Sequence, residues 1–172
     1  MITFFVPGIP VPKGSAKAFV VKGRAVVTQT NRDKQRPWAS TISYAAQEAG
    51  IVPAPGAVAL AMVFTMPRPK SHYRTGKFAG ELRLNQPIQH TAKPDLDKLI
   101  RCVLDALTGV AYIDDSQVAE IRTGKLYGER PGVEIWVERS PWNPGSSSRG
   151  KRCGAIGSGW CNGEATSVWD RG

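Results

Sequence analysis

Lys93-Pro94-Asp95-Leu96-Asp97-Lys98-Leu99-Ile100-Arg101-Cys102-Val103-Leu104-Asp105-Ala106-Leu107-Thr108-Gly109 carries the clearest periodicity in the chain. Its apolar residues Leu96, Leu99, Ile100, Val103, Leu104 and Leu107 recur at helical spacing, which predicts one buried face of an α-helix that ends at Gly109. Upstream, residues 67–93 lack periodicity but carry Arg68, Lys70, Arg74, Lys77, Arg83 and Lys93 against the single acid Glu81. A segment this long without structure of its own is usually functional or disordered. Before it, 58–66 reads as a buried strand. Further back, Asn31 or Asp33 can cap a helix over about 36–49, with Pro37 in its first turn and Gly50 at its end. Phe19-Val20-Val21 and Ala25-Val26-Val27 flank Gly23 as a hairpin carrying lysines, and 2–6 reads as an opening strand stopped by Pro7-Gly8. Downstream, after Asp114-Asp115, residues 118–126 and 133–137 alternate as the last two strands, expected to pair through 128–132.

The 172 residues are about one domain's worth, and 41% hydrophobic with 22% charged residues argues against a disordered or fibrous chain. Lys+Arg 23 against Asp+Glu 14 gives +9, which points to a polyanionic partner, nucleic acid or an acidic membrane surface. The longest apolar run, 57–64, falls far short of the roughly 20 residues a spanning helix needs, so no membrane crossing is expected. No secretory leader is visible at Met1-Ile2-Thr3-Phe4-Phe5, and three cysteines, Cys102, Cys153 and Cys161, make a disulfide framework improbable. The expected location is therefore the reducing cytoplasm. Beyond Arg139 the composition turns to Gly and Ser, so the domain is expected to span 1–139 and 140–172 to be a flexible tail. That tail holds Trp142, Trp160 and Trp169, and its four basic residues are half offset by Glu164 and Asp170, so most of the positive charge belongs to the domain.

In so basic a chain, the acids Asp95, Asp97, Asp114 and Asp115 are out of character. Hard divalent cations take such oxygens, and Mg²⁺ is commonly held by one or two carboxylates plus waters and substrate phosphate. Asp95 and Asp97 flank Leu96 at the start of the helix, where free N–H groups also favour a phosphate. The Asp-Asp turn follows the same helix, and Asp115 could fold back beside Asp97 if the next strand runs beside the one feeding the helix. Each acid alone has a structural explanation, as N-cap or turn residue. Together, between two cationic segments, they form a candidate metal site. His72 and His90 read as surface histidines, Cys102 as packing, Cys153 and Cys161 as free thiols, and Asp105 as the partner of Arg101 or Lys98 on a solvated face. No Walker-type or GxGxxG loop occurs.

Lys93-Pro94-Asp95-Leu96-Asp97-Lys98-Leu99, then Leu104-Asp105-Ala106-Leu107-Thr108-Gly109, then Ile113-Asp114-Asp115-Ser116-Gln117-Val118 and the later Lys125 resemble the RusA family of Holliday junction resolvases. The opening Val6-Pro7-Gly8-Ile9-Pro10-Val11-Pro12-Lys13-Gly14 is similar to that family's N-terminus. The resemblance implies a small α+β fold, a mixed β-sheet with two main helices, acting as a homodimer. It implies an endonuclease that uses Mg²⁺ or Mn²⁺ to cut paired strands of four-way DNA junctions in recombination and repair. Many relatives are encoded by bacteriophages or prophages, which would place this chain in a bacterial host's cytoplasm. The family's catalytic, metal-holding aspartates fall on Asp95, Asp97 and Asp115. Where the family has Asn this chain has Lys98, a cation against the metal site. The family's catalytic lysine falls on Arg101, which can stabilise a pentacovalent phosphate but cannot act as a base.

Lys13, Lys17, Lys22 and Arg24, with Arg68, Lys70, Arg74 and Lys98, would contact phosphates and position branched DNA without reading its sequence. Two other functions use the same residues: a non-catalytic basic DNA-binding protein, and a general Mg²⁺ nuclease without junction preference.

Overall fold

The computed structural model describes residues 1–140, the side chains at 16–17 and 27–29 apart. The expected tail beyond Ser140, with its tryptophans and Cys153 and Cys161, lies outside the described residues, as does the side chain of Lys17. Six strands and two α-helices make up the described chain: β1 (Ile2–Pro7), β2 (Ala16–Val21), β3 (Arg24–Gln29), α1 (Arg32–Glu48), β4 (Val58–Pro67), α2 (Leu96–Leu107), β5 (Val118–Gly128) and β6 (Gly132–Arg139). β1, β6, β4 and β5 form one mixed sheet in that order, and β2 and β3 form a separate two-stranded ribbon. This is the α+β fold with two main helices. No helix among the described residues is long and apolar enough to cross a membrane.

Alternation decides which side of the sheet is covered. Phe4 and Val6 of β1 oppose Ile135 and Val133 of β6, and these pack with Leu60, Met62 and Phe64 of β4 into the core. Thr3 and Phe5, one residue out of phase, are exposed. Both helices lie over the core face. Trp38, Ile42 and Ala46 from α1 meet Leu99, Cys102, Val103, Ala106 and Leu107 from α2 there, and the Ser43 hydroxyl bonds across to the Ala106 carbonyl at 2.7 Å. Burial pushes the Cys102 thiol up to about 11. β4 is buried along most of its length because it has strands on both sides.

Two expectations are corrected. β5 and β6 do not pair with each other: β4 lies between them, antiparallel to β6 and parallel to β5. The nearly continuous apolar run of β4 needs a neighbour on each edge, and that outweighs the preference of consecutive strands to pair. Helix α1 begins at Arg32, four residues earlier than read, so Pro37 sits beyond the first turn. Asn31 occupies the cap position without a side-chain hydrogen bond, and its carbonyl accepts from Lys34 and Gln35 instead. The far end behaves as expected: Gly50 donates to the Gln47 carbonyl and Ile51 to that of Ala46, closing a Schellman motif.

The parallel β4–β5 pair fixes where the chemistry can lie. Leaving the end of β4, the chain must reach α2, run back along the strands, and enter β5 at the opposite edge of the sheet. Residues 68–95 accordingly sit at one end of the sheet and residues 108–117 at the other. The first of these connections is not featureless. It has two 3₁₀ turns, Lys70–His72 and Gly76–Phe78, and is closed by bonds from Arg74 N–H to the Glu81 carbonyl and Arg83 N–H to that of His72.

Candidate active site

The approach to α2 is fastened from below by one side chain. Lys125, on the core-facing side of β5, donates to the Ala92 carbonyl at 2.7 Å and the Pro94 carbonyl at 2.6 Å. These bonds hold the short stretch of backbone that delivers Asp95. A half-buried ammonium needs such acceptors, and carbonyls just upstream of a helix start supply them.

Asp95 stands at the N-cap position of α2 yet makes no capping bond. Its carboxylate instead accepts from Lys98 Nζ at 2.8 Å, and that bond holds the Asp95 carboxyl below the usual carboxylate range and the Lys98 ammonium above its own. The cation expected to crowd this site is therefore in contact with it. Asp97 lies in the first turn, exposed, and no hydrogen bond or ion pair to a described residue engages it. Arg101 follows one turn later and is also exposed. Asp105 does not pair with Arg101 or Lys98 as expected. It binds Lys13 Nζ at 2.6 Å, because the Lys13 backbone N–H is already tied to the Lys98 carbonyl at 2.9 Å and brings its side chain down the helix.

These contacts frame a cleft of about 580 Å³ between the Pro10–Pro12 segment, the base of the ribbon and the start of α2. Lys13, Lys34, Lys93 and Lys98 line it together with Asp95. Gly14 makes the close approach possible at its rim, since a Cβ there would overlap the Thr30 carbonyl oxygen. Lys34 and Lys93 were not singled out from sequence as contacts. Lys34 carries no local signal, because only the docking of α1 against the cleft gives it a role. Lys125 did carry one, since it belongs to the pattern on which the family resemblance rests.

The acidic turn separates into two unlike residues. Asp114 is structural: it accepts from Ser116 N–H at 3.0 Å and forms a capping box with Gln117, and these bonds lower its carboxyl. The Gln117 amide in turn bonds the Ala54 and Gly56 carbonyls, pinning the turn to the start of β4. Asp115 is exposed and bonded to no described side chain. Although β5 does run beside β4, Asp115 does not reach Asp97, because a parallel strand starts at the far end of the sheet. The two lie at opposite ends of α2, with about 15 Å of helix between Asp97 and the end that Asp115 follows. Among the described residues no group of three or more His, Cys, Asp or Glu stands close enough to hold a metal ion.

The remaining expected contacts divide. Lys22, Arg24 and Lys70 are exposed. Arg68 donates to the Pro87 carbonyl at 3.1 Å and stacks over Tyr127, and Arg74 pairs with Glu81 at 2.9 Å and stacks on Phe78, so both also hold the 67–93 segment together. His72 and His90 are half-buried rather than on the surface, each against the Tyr127 ring. Burial lowers the His90 pKa, with Lys125 adding to the effect.

The family described as endodeoxyribonuclease RusA matches residues 7–138, which take in both helices, the cleft and the sheet apart from nearly all of β1 and the last residue of β6. The chain belongs to the RusA endodeoxyribonuclease family. An uncharacterized protein of Bacillus subtilis strain 168, YqaN, is 28% identical over 137 residues, which cover 79% of this chain and 94% of YqaN.

Proposed function

We infer that this chain cuts four-way DNA junctions by metal-assisted hydrolysis of the phosphodiester backbone, working as a homodimer in recombination and repair within a bacterial host's cytoplasm. The observation that carries this reading is the start of α2, where the exposed Asp95 shares a cleft with four lysines and the exposed Asp97 follows in the first turn of the helix. The lysines attract a phosphodiester that the carboxylates alone would repel.

The donor chemistry at Asp95 and Asp97 fits one hard divalent cation that keeps several waters. Mg²⁺, or Mn²⁺ in its place, would be held by this pair with Asp115 of a second copy completing the set, since the fold carries each chain's own Asp115 away from it. Such an ion supplies Lewis-acid stabilisation of the phosphate and a water of lowered pKa. The chain's residues do the rest. Lys13, Lys34 and Lys93 hold the DNA backbone against the cleft, with Lys22, Arg24 and Lys70 as outer contacts. Lys98, which now bonds Asp95, would be free to reach a phosphate oxygen were that carboxylate to hold a metal. Arg101, one turn beyond Asp97, meets the charge that builds on the phosphate and stays protonated throughout. Lys125 keeps Asp95 at the cleft.

One observation favours a second reading. Lys98 already neutralises Asp95, as it would in a protein that only binds DNA. Incubating the protein with a synthetic junction or a matched duplex, in Mg²⁺ or EDTA, separates the possibilities. Symmetric nicks at the junction, abolished by EDTA and by Asp97→Asn, support the resolvase. Tight binding without cleavage in any divalent metal gives the second reading, and equal cutting of duplex gives a general nuclease.

A further inference from the structure

The β2–β3 ribbon stands apart from the main sheet. Its strands are six residues each, roughly 20 Å long, and its base is closed by Thr30 N–H bonding the Ser15 carbonyl at 3.1 Å, at the rim of the lysine-lined cleft. Lys22 and Gly23 both have positive φ, 48° and 76°, the two-residue turn that matches strand twist. Cross-strand register pairs Phe19 with Val26 and Val21 with Arg24. Phe19, Val21 and Val26 therefore share one face, and they are 48%, 45% and 38% exposed. No acidic residue occurs before Asp33, so this apolar face is carried on an element whose charges are all positive.

We propose that this face is a branch-point probe, lying against the base pairs at the centre of a DNA junction while Lys22 and Arg24 grip the flanking phosphates. The proposal rests on the reading of the chain as a junction endonuclease and names how it finds the junction. Charge complementarity selects DNA as the occupant. The chemistry of the face selects the branch point within the DNA. A ribbon that reads a groove needs hydrogen-bonding side chains for base edges, and the outer part of this face offers three hydrocarbon groups and one arginine, with Lys17 and Thr28 in register with it only at the base. Hydrocarbon surface instead suits the flat faces of bases, which a continuous duplex hides by stacking and a branch point exposes. The ribbon's attachment beside Lys13 and Asp95 would then set the cutting cleft at a fixed reach from the branch.

The test measures binding in EDTA to a four-way junction with 2-aminopurine beside the branch, and to a matched duplex. Phe19→Ser with Val21→Ser should lose about tenfold in junction affinity, the scale of one lost stacking contact, leave duplex affinity unchanged and abolish the rise in 2-aminopurine fluorescence. Lys22→Asn with Arg24→Gln, in which asparagine tolerates the positive φ, should weaken both DNAs by a similar factor. If the apolar variant keeps junction affinity and the fluorescence rise, or weakens both DNAs equally, the proposal is overturned. A change of oligomeric state in that variant would overturn it too, and make the face a contact between copies. If the unaltered protein itself does not prefer the junction, the resolvase reading fails and this proposal fails with it; preference retained by all variants sinks the probe alone.

Discussion

Mixing two inactive variants, Asp97→Asn and Asp115→Asn, is expected to restore cleavage. Asp97 sits in the first turn of α2 and Asp115 beyond its last, with about 15 Å of helix between. The side of β5 that follows Asp115 runs roughly 23 Å further before Lys125 returns to the Asp95 approach. Side chains of about 4 Å reach cannot close that gap within one subunit, so on the proposed reading each site would borrow Asp115 from another copy. In a symmetric dimer the two sites are then reciprocal. A mixed dimer has one site lacking both carboxylates and one site with both intact. Random exchange of equal amounts makes about half the dimers mixed, so about a quarter of all sites are functional. The assay is a junction cleavage time course after subunit exchange, with exchange verified by co-purification of differently tagged copies. Initial nicking should reach about a quarter of the unaltered rate, and the product should be singly nicked junction, because only one of two cuts can be made. A verified mixture that stays as inactive as its parents would refute the reasoning, since sites built within one chain leave every site of a mixed dimer one carboxylate short.

Three further outcomes follow from the same contacts. Lys98→Asn removes the ammonium 2.8 Å from Asp95 and should lower the Mg²⁺ concentration for half-maximal cleavage several-fold, read from a metal titration. Lys125→Met strips the Ala92 and Pro94 carbonyls of their donor and should cut the rate at saturating junction by tenfold or more while junction affinity changes little, a split that kinetics at varied junction concentration will show. Cys102, with its thiol raised to about 11 by burial, should carry about a hundredfold less thiolate at pH 8 than a free cysteine. Peptide mapping after iodoacetamide should find it unmodified until the pH approaches 11 or the protein is unfolded, and rapid native labelling at pH 8 would contradict its packing against the sheet.

Local features were legible in the sequence and directional ones were not. Helix α2 has the bounds its apolar period predicts, because every residue that fixes them lies within one run and Asp95 and Thr108 flank it. The hairpin and β4 were equally local. The early start of α1 was hidden by Pro37, which favours a first turn when read alone but here lies in a helix whose opening N–H groups already bond the Asn31 carbonyl. Pairing of β5 with β6 is the natural expectation for neighbours joined by a short loop. Only the two-sided burial of β4 shows why it inserts between them. The same ambiguity governs the site. Asp95 and Asp97 are placed by one helix start, whereas the position of Asp115 depends on whether β5 runs parallel or antiparallel to β4, and no residue in the acidic turn encodes that direction.

A site divided between copies also accounts for the exposure of its acids. Within one chain, Asp97 and Asp115 are exposed and bonded to no described side chain, while Asp114 and Asp105 are engaged in a cap and an ion pair. Unengaged carboxylates in a basic surface gain nothing for the fold. If each site is divided in this way, half of it is worthless alone, and a monomer could bind DNA through Lys13, Lys34 and Lys93 without harming it. Dimerisation would create both sites at once, and each α2 would serve one cleft through its start while the turn after it serves the other. For a substrate that must be cut twice and symmetrically, that interdependence would be a safeguard: a lone subunit would nick nothing, and only a dimer with both shared sites intact would make the paired cuts.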